Sequence, residues 1–400
     1  MVQSGSGRPV ISGVDITRRL FHPQALVVVS SEAGSRQYIY WTNTAYADGY
    51  SIQRCNTDGS RVETVVWGVQ RGYGLAQLPY SLPLLLDSGA TRAAFSTHSY
   101  LNAYDALFFT DSSRGTLSIA FVPPLVDDAV FSVEGKDKVV VVTIMTGLNT
   151  PTAVSVDTVS ECVFVTVVDG IVASYPLTKV ASIVASAVTS GGNVSAVAVV
   201  LNDRKSLPTG VKIVLKTQRN SRTTAMTVTT SCATLYSTNA CLPSPWLHQR
   251  VFTIDTNRNT LIVSSISGYP TSHVDLTTGF GYEDAIYWPT SISISDRIDP
   301  LVEADVTSNI KDRAYGSFSQ YYTAYITEYL GKVWRVRIPV SNVNGTISSV
   351  STHRSLLLAP ELLLDASQFS LSEKLRAHFR ALHGGGQRSN VGAVSFEIVN

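Results

Sequence analysis

Charge is what this sequence has least of. Thirty-one Lys and Arg against 30 Asp and Glu leave only 15% of its 400 residues charged, where an ordinary soluble chain carries about 25%. A formal net charge of +1 supplies no basic stripe to displace counterions, so no nucleic-acid partner is expected. Long apolar runs are missing too. The longest, Val139–Met145, has the length of a buried strand and falls short of the roughly 20 residues that span a bilayer, so no transmembrane segment is expected. The first residues, MVQSGSGRPV, lack the basic and apolar regions of a secretion signal. The four cysteines form no C-x-x-C pair and have no histidine at ligand spacing, which excludes a zinc site of the usual kind. Histidines are scattered; on a helix, the nearest pair, His378 and His383, would diverge by about 140°. No G-x-S-x-G, H-E-x-x-H, P-loop or G-x-G-x-x-G motif occurs, and Gly72-Tyr-Gly74 and Gly279-Phe-Gly281 read as lone turn pairs. No catalytic residue is nominated, and the chain leans away from being an enzyme.

What is present is a 44% apolar composition, ample for a core and incompatible with global disorder. Helical periodicity is almost absent. Short runs rich in Val, Ile, Thr, Tyr and Phe recur between Gly, Asn, Asp and Pro, the pattern of many short strands. Several begin with Pro and end on Asp: Pro151-Thr-Ala-Val-Ser-Val-Asp157 and Pro289-Thr-Ser-Ile-Ser-Ile-Ser-Asp296 are the clearest. Starts at 23, 83, 151, 208, near 245 and 289 give six phrases. A bulky second strand follows each, as in Tyr38–Thr42, Ala106–Thr110, Cys162–Thr166 and Thr323–Thr327, and then usually a third that alternates. A meander repeated radially is an all-β propeller, which leaves only short protected edges. A β-sandwich competes, but it would not repeat one three-strand phrase six times. Six blades are expected over residues 23–359, and seven if Pro360–Asp365 begins another.

The most specific stretch is Tyr38-Ile-Tyr-Trp-Thr-Asn43, continuing through Ser51-Ile-Gln-Arg54 to Asp58-Gly-Ser60. It resembles the YWTD repeat of lipoprotein-receptor-type six-bladed propellers, with Leu107-Phe-Phe-Thr-Asp111 and Tyr325-Ile-Thr-Glu328 similar to degenerate copies. The resemblance implies six blades, a binding role, and a network in which the Asp position ties neighbouring blades together. Asn43 stands where that family has Asp.

The ends differ from the middle. Residues 1–22 form an N-terminal segment in which Val10–Ile16 is a candidate ring-closing strand. Residues 360–400 form a C-terminal extension: Ser370-Leu-Ser-Glu373 is a capping box, and Leu371, Leu375, Phe379 and Leu382 make an apolar stripe on a helix over 371–383. Alternation over 391–399 predicts a second candidate for the closing strand.

Aromatic residues near turns are the binding candidates, since Tyr and Trp dominate binding hot spots: Tyr73, Tyr269, Trp288, Tyr321, Tyr322 and Tyr329, together with insertions at 88–104 and 297–322. They would present one mouth of the propeller to protein partners, or the chain would be a structural subunit of a larger assembly. The strand-end carboxylates Asp87, Asp157, Asp255 and Asp296, with Asp365, pose a second question. Resemblance to six-bladed lactonase-like or strictosidine-synthase-like propellers would let them hold calcium through oxygen ligands, for a calcium-dependent hydrolase or lyase. The alternative is that each caps a turn through its own backbone, with no cofactor. Cys232 and Cys241 flank a polar turn that a hairpin disulfide could close, or they are two thiols. Asn193 and Asn344 head glycosylation sequons. With sparse charge and 22 Arg to 9 Lys, these features favour the extracellular or secretory pathway, with an intracellular organelle as the alternative.

Overall fold

In a computed structural model, the described residues are 23–30, 37–43, 50–78, 101, 103–124, 139–158, 160–190, 196–201, 207–217, 221–230, 249–266, 271–277, 285–300, 320–329, 332–339 and 360–365. The chain divides into two compact units, Met1–Thr217 and Gln218–Asn400. Its architecture is an all-β propeller type, built from antiparallel meander sheets, with one short helix among the described residues.

The described residues of the first unit form three sheets, or blades. Blade 1 runs β1 (Pro23–Ser30), β2 (Gln37–Asn43), β3 (Ser51–Asn56) and β4 (Glu63–Trp67) in spatial order. Blade 2 runs β5 (Leu75–Leu78), β6 (Asp105–Asp111), β7 (Thr116–Val122) and β8 (Val140–Thr146). Blade 3 runs β9 (Pro151–Asp157), β10 (Cys162–Val167), β11 (Ile171–Pro176) and, after an insertion, β13 (Lys212–Lys216). That insertion contains helix α1 (Leu177–Thr189) and the two-residue strand β12 (Val197–Ala198), which pairs in parallel with β8 of blade 2. The described residues of the second unit form two blades. Blade 4 is β14 (Thr223–Thr230), β15 (Gln249–Asp255), β16 (Thr260–Ser265) and β17 (Thr271–Asp275). Blade 5 is β18 (Pro289–Pro300), β19 (Gln320–Glu328), β20 (Lys332–Pro339) and β21 (Glu361–Asp365).

The described strands therefore form five sheets where six were expected, and the cause is visible in the phrases. Pro208-Thr-Gly-Val-Lys-Ile-Val-Leu215 does not open a blade; it leads into β13, the outermost strand of blade 3. Thr224–Thr229 and Arg250–Asp255 are the first and second strands of one blade, so two expected starts collapse into one. Pro360–Asp365 supplies the fourth strand of blade 5, not a seventh blade. Pro83–Asp87 lies outside the described residues. A fourth strand had not been anticipated, and it explains a second difference: β3, β7 and β11 are buried on both faces instead of alternating. Mixed burial has moved outward to β4, β8 and β13.

The helix was expected at 371–383; that segment, the closing strands at 10–16 and 391–399, Cys232, Cys241, Asn193 and Asn344 lie outside the described residues. The described helix is instead internal. Leu177, Val180, Ala181, Val184 and Ala185 fall at helical spacing, and all are buried. This stripe is a full amphipathic face, hidden in the sequence by its small residues and by hydroxyl-rich neighbours. Ser182, Ser186 and Thr189 return their hydroxyls to carbonyls one turn back, so these hydroxyls are satisfied within the helix, whose single charge is exposed Lys179. No described helix is long and apolar enough to cross a membrane.

Between blades, hydroxyl groups act as latches. Thr42 Oγ1 accepts the Ala25 N–H within blade 1 at 3.1 Å and donates to the Gly72 carbonyl at 2.6 Å, just before blade 2 begins. Ser112, following β6, donates its hydroxyl to the Pro151 carbonyl, the first residue of blade 3. Thr256, following β15, repeats this with Pro289 of blade 5 at 2.6 Å. Here is the physical meaning of the Pro-led phrases: proline at the first residue of a strand forfeits no ladder bond, while its carbonyl takes the latch. Replacing Thr256 with Val keeps the shape but removes the short donor, leaving the Pro289 carbonyl only Thr224 Oγ1 at 3.5 Å. Its expected cost is about 1–2 kcal/mol in urea unfolding, whereas Thr256→Ser should recover most of it.

Candidate binding surface

The meander places four features at one end of every blade: the first and third strands begin there, and the second and fourth end there. At that end the chain crosses from the outer strand of one blade to the inner strand of the next, through a corner with a repeated hydrogen-bond pattern. The residue following the second strand donates its N–H to the corner carbonyl: Ser112 to Arg71 at 3.2 Å, Val168 to Thr150 at 3.1 Å, Thr256 to Arg222 at 3.0 Å and Tyr329 to Trp288 at 3.0 Å. The acid ending the second strand holds the corner from the other side. Asp111 accepts the Gln70 N–H at 2.9 Å, Asp255 the Arg222 N–H at 3.1 Å and Glu328 the Tyr287 N–H at 2.9 Å. Blade 3 has Val167 in that place and no carboxylate.

Three of these four corner residues lie in the left-handed backbone region without being glycine: Arg71 (φ 53°), Thr150 (φ 48°) and Trp288 (φ 49°). A side chain there costs roughly 1–2 kcal/mol, and such strain concentrates at functional sites. The clearest case is Trp288. Its N–H donates to Asn259 Oδ1 at 2.7 Å, its ring meets Tyr329 edge-on at 6.5 Å, and it remains 46% exposed. A large aromatic ring is thus held outward by a strained backbone and by two neighbouring elements.

The structure separates the aromatic candidates. Trp288 and Tyr329 are brought together, and half-buried Tyr73 sits at the equivalent end of blade 2, just before β5. Tyr321 and Tyr322 are not in a loop: β18 and β19 extend as a hairpin past Ile298↔Tyr322 and Asp299↔Tyr321. Tyr322 is only 3% exposed and packs edge-on against Phe252 at 5.4 Å, so it belongs to the core of the second unit. Tyr269 lies outside the described residues, as do most of the 88–104 and 297–322 insertions.

The strand-end carboxylates do not occupy equivalent places. Asp157 ends a first strand, Asp255 a second and Asp365 a fourth, while Asp296 lies within β18; Asp87 is outside the described residues. Asp157 accepts the N–H and hydroxyl of Ser160, capping its own turn. Asp255 instead binds its blade corner, with Arg258 at 3.9 Å. Among the described residues, no three His, Cys, Asp or Glu side chains gather as a metal site.

The Tyr-Trp-Thr phrase forms a buried network between blades 1 and 2. Tyr40 donates its hydroxyl to Asp105 at 2.5 Å and accepts from Arg54 Nη1 at 3.2 Å. Arg54, 3% exposed, also reaches Glu63 at 2.6 Å and the Pro123 carbonyl, and lies 5.2 Å over the Tyr38 ring. Burial, and then the Asp105 charge, push the Tyr40 hydroxyl far above its ordinary range. Burial also raises the Asp105 carboxyl, against the pull of Tyr40 and Arg54. Cys55 beside this network is free and buried, its thiol pushed up to about 11 by burial and then by Asp58. Downstream, Asp58-Gly-Ser60 closes the β3–β4 turn, with Ser60 N–H on Asp58 at 2.8 Å. These groups tie the blades together, and their polar atoms face one another instead of a ligand.

No protein-family model and no curated protein matches the sequence. Solved structures to which the chain is similar include virginiamycin B lyase from Staphylococcus aureus, at 8% identity and TM-score 0.36 over 78% of this chain and 66% of that one. A nidogen/laminin complex is similar at 12% identity and TM-score 0.39 over 80% and 76%. An auxiliary nutrient binding protein from Bacteroides thetaiotaomicron is similar at 10% identity and TM-score 0.37 over 75% and 55%. The chain thus spans less than two thirds of the lyase and of the nutrient binding protein.

Proposed function

We propose that this chain is a non-catalytic protein-interaction module of YWTD-like descent, whose corner residues present the partner-binding side chains. The observation that carries the reading is Trp288: exposed, in the left-handed backbone region, anchored by Asn259 and braced by Tyr329. Rigid aromatic anchors of this kind supply contact area at small entropic cost and commonly account for 2 kcal/mol or more of binding. The buried carboxylates support the same reading, because Asp111, Asp157 and Asp255 are engaged with backbone amides or neighbouring side chains.

The test compares the chain with its Trp288→Ala/Tyr329→Ala variant in affinity capture from an extract of the source organism, read by quantitative mass spectrometry. A loss of about tenfold or more for the captured partners is expected, with an unchanged thermal midpoint. Equal recovery by both proteins would refute the assignment.

A further inference from the structure

The first unit carries a second surface of different chemistry at the same end of its blades. Trp67 closes β4 and is 66% exposed. The chain then turns through Gly68, whose N–H and that of Val69 both donate to the Tyr50 carbonyl, at 2.7 and 3.2 Å. Four residues past Trp67 comes Arg71, exposed and in the left-handed region, its guanidinium making no hydrogen bond or ion pair among the described residues. Beside this segment runs the β6–β7 turn, joined to it by Ser112 N–H on the Arg71 carbonyl at 3.2 Å and Ser113 N–H on the Gln70 carbonyl at 3.5 Å. That turn brings in Arg114, with a side chain 60% exposed. Its Nη2 lies 3.7 Å from where a β-carbon on Gly68 would stand, next to Trp67.

Among the described residues, the electrostatic balance here is one-sided. The neighbouring acid is Asp111, whose side chain is 3% exposed and whose oxygens accept the Gln70, Ser113 and Arg114 amides. Arg114 approaches it only to 3.7 Å. Asp58 and Glu63 belong to the opposite end of blade 1, and Asp169 is occupied with Asn149 at the corner of blade 3. Among the described residues, two exposed guanidiniums therefore lie close in the chain or in space to one exposed indole, and the acid between them, Asp111, is buried. Guanidinium is the group best shaped for carboxylate pairs, and an exposed indole wants an apolar or aromatic side chain.

We propose that Trp67, Arg71 and Arg114 form a docking surface for an acidic, extended segment of a partner protein, with Trp67 taking an aromatic side chain and the two arginines taking flanking carboxylates. This goes beyond the Trp288 assignment and does not depend on it. The two surfaces lie in separate units and are tested by separate variants.

The probe is a fluorescein-labelled peptide of glutamates around a central phenylalanine, followed by anisotropy on the full chain at about 0.05 M salt, where surface charges are weakly screened. Saturable binding is expected, weakening about tenfold in the Arg71→Glu/Arg114→Glu variant and falling with added salt. Trp67→Ala should lose several-fold for this peptide but nothing for an all-glutamate peptide. Thermal midpoints of the variants, all at exposed side chains, should match the parent. No binding by the parent, or equal affinity in the charge-reversed variant, would overturn the proposal. So would tighter binding of a heparin fragment or a single-stranded oligonucleotide of equal charge, because a general polyanion surface would then be at work.

Discussion

Gly74→Ala should be among the most damaging single-methyl changes available to this chain, lowering the stability of its first unit by about 3 kcal/mol. The residue stands just before β5, where its N–H donates to Thr110 Oγ1 at 2.8 Å and its carbonyl accepts the Thr110 N–H at 3.1 Å. Its position is thereby fixed from one side. On the other, an added β-carbon would lie 2.8 Å from the Val154 nitrogen and 2.9 Å from the Ala153 carbonyl carbon and Cα. These are backbone atoms of β9, the innermost strand of the next blade, and they cannot rotate away as a side chain would. Relief requires separating two inner strands, which also disturbs the Ser112 latch onto Pro151. For a unit of this size the expected fall in thermal midpoint is roughly 6–12 °C. Gly72→Ala is the internal control. Its β-carbon would meet side-chain atoms of Val69 and Thr42 at 3.0–3.3 Å, so a smaller loss is expected. An unchanged midpoint for Gly74→Ala would show that the inner strands are free to separate.

That glycine also shows where reading the sequence succeeds and stops. Gly72-Tyr-Gly74 looks like a turn pair, because a close approach to a strand seventy-nine residues onward leaves no local mark. The second strands are legible because burial on both faces produces bulky runs such as Tyr38–Thr42 and Ala106–Thr110. The outer strands are not, since Lys212-Ile-Val-Leu-Lys216 and Glu361–Asp365 imitate the Pro-led opening of a blade. Blade counting fails there, and with it the alignment of the strand-end aspartates. The corner acids carried a signal, Thr-Asp, Ile-Asp and Thr-Glu at the ends of β6, β15 and β19, two followed directly by Ser112 or Thr256. Trp288 and Tyr329 could be nominated as aromatic residues near turns. Their pairing could not, since it joins a blade corner to the end of a strand forty-one residues onward. Trp67 and Arg71 stayed invisible because exposure at the end of an outer strand has no periodic signature.

Arg54→Met should cost about 3 kcal/mol near neutral pH, and much less in acid. The side chain is buried, and removing it withdraws a cation from Asp105, Tyr40 and Glu63 together. Breaking a fully buried pair by deleting one partner costs about 3–5 kcal/mol; the low end applies here because the Glu63 side chain is 41% exposed. The pH dependence follows from Asp105. Burial raises its folded-state carboxyl above the unfolded value, so its contribution is fully present below about pH 4 and is lost as pH rises through the folded-state value. Arg54 opposes that rise by favouring the ionised form. Without it the folded-state value climbs further, and the loss continues to higher pH. In acid, Asp105 is protonated in folded and unfolded chains alike, and the missing cation has little to attract. The gap between parent and variant should therefore widen from about pH 4 to about pH 7.5 in urea unfolding, with Arg54→Lys falling between them because it keeps the charge without the fork. An equal gap at both pH values would mean that Arg54 acts through packing on Tyr38 alone, and the Tyr-Trp-Thr phrase would then join its blades by shape and not by charge.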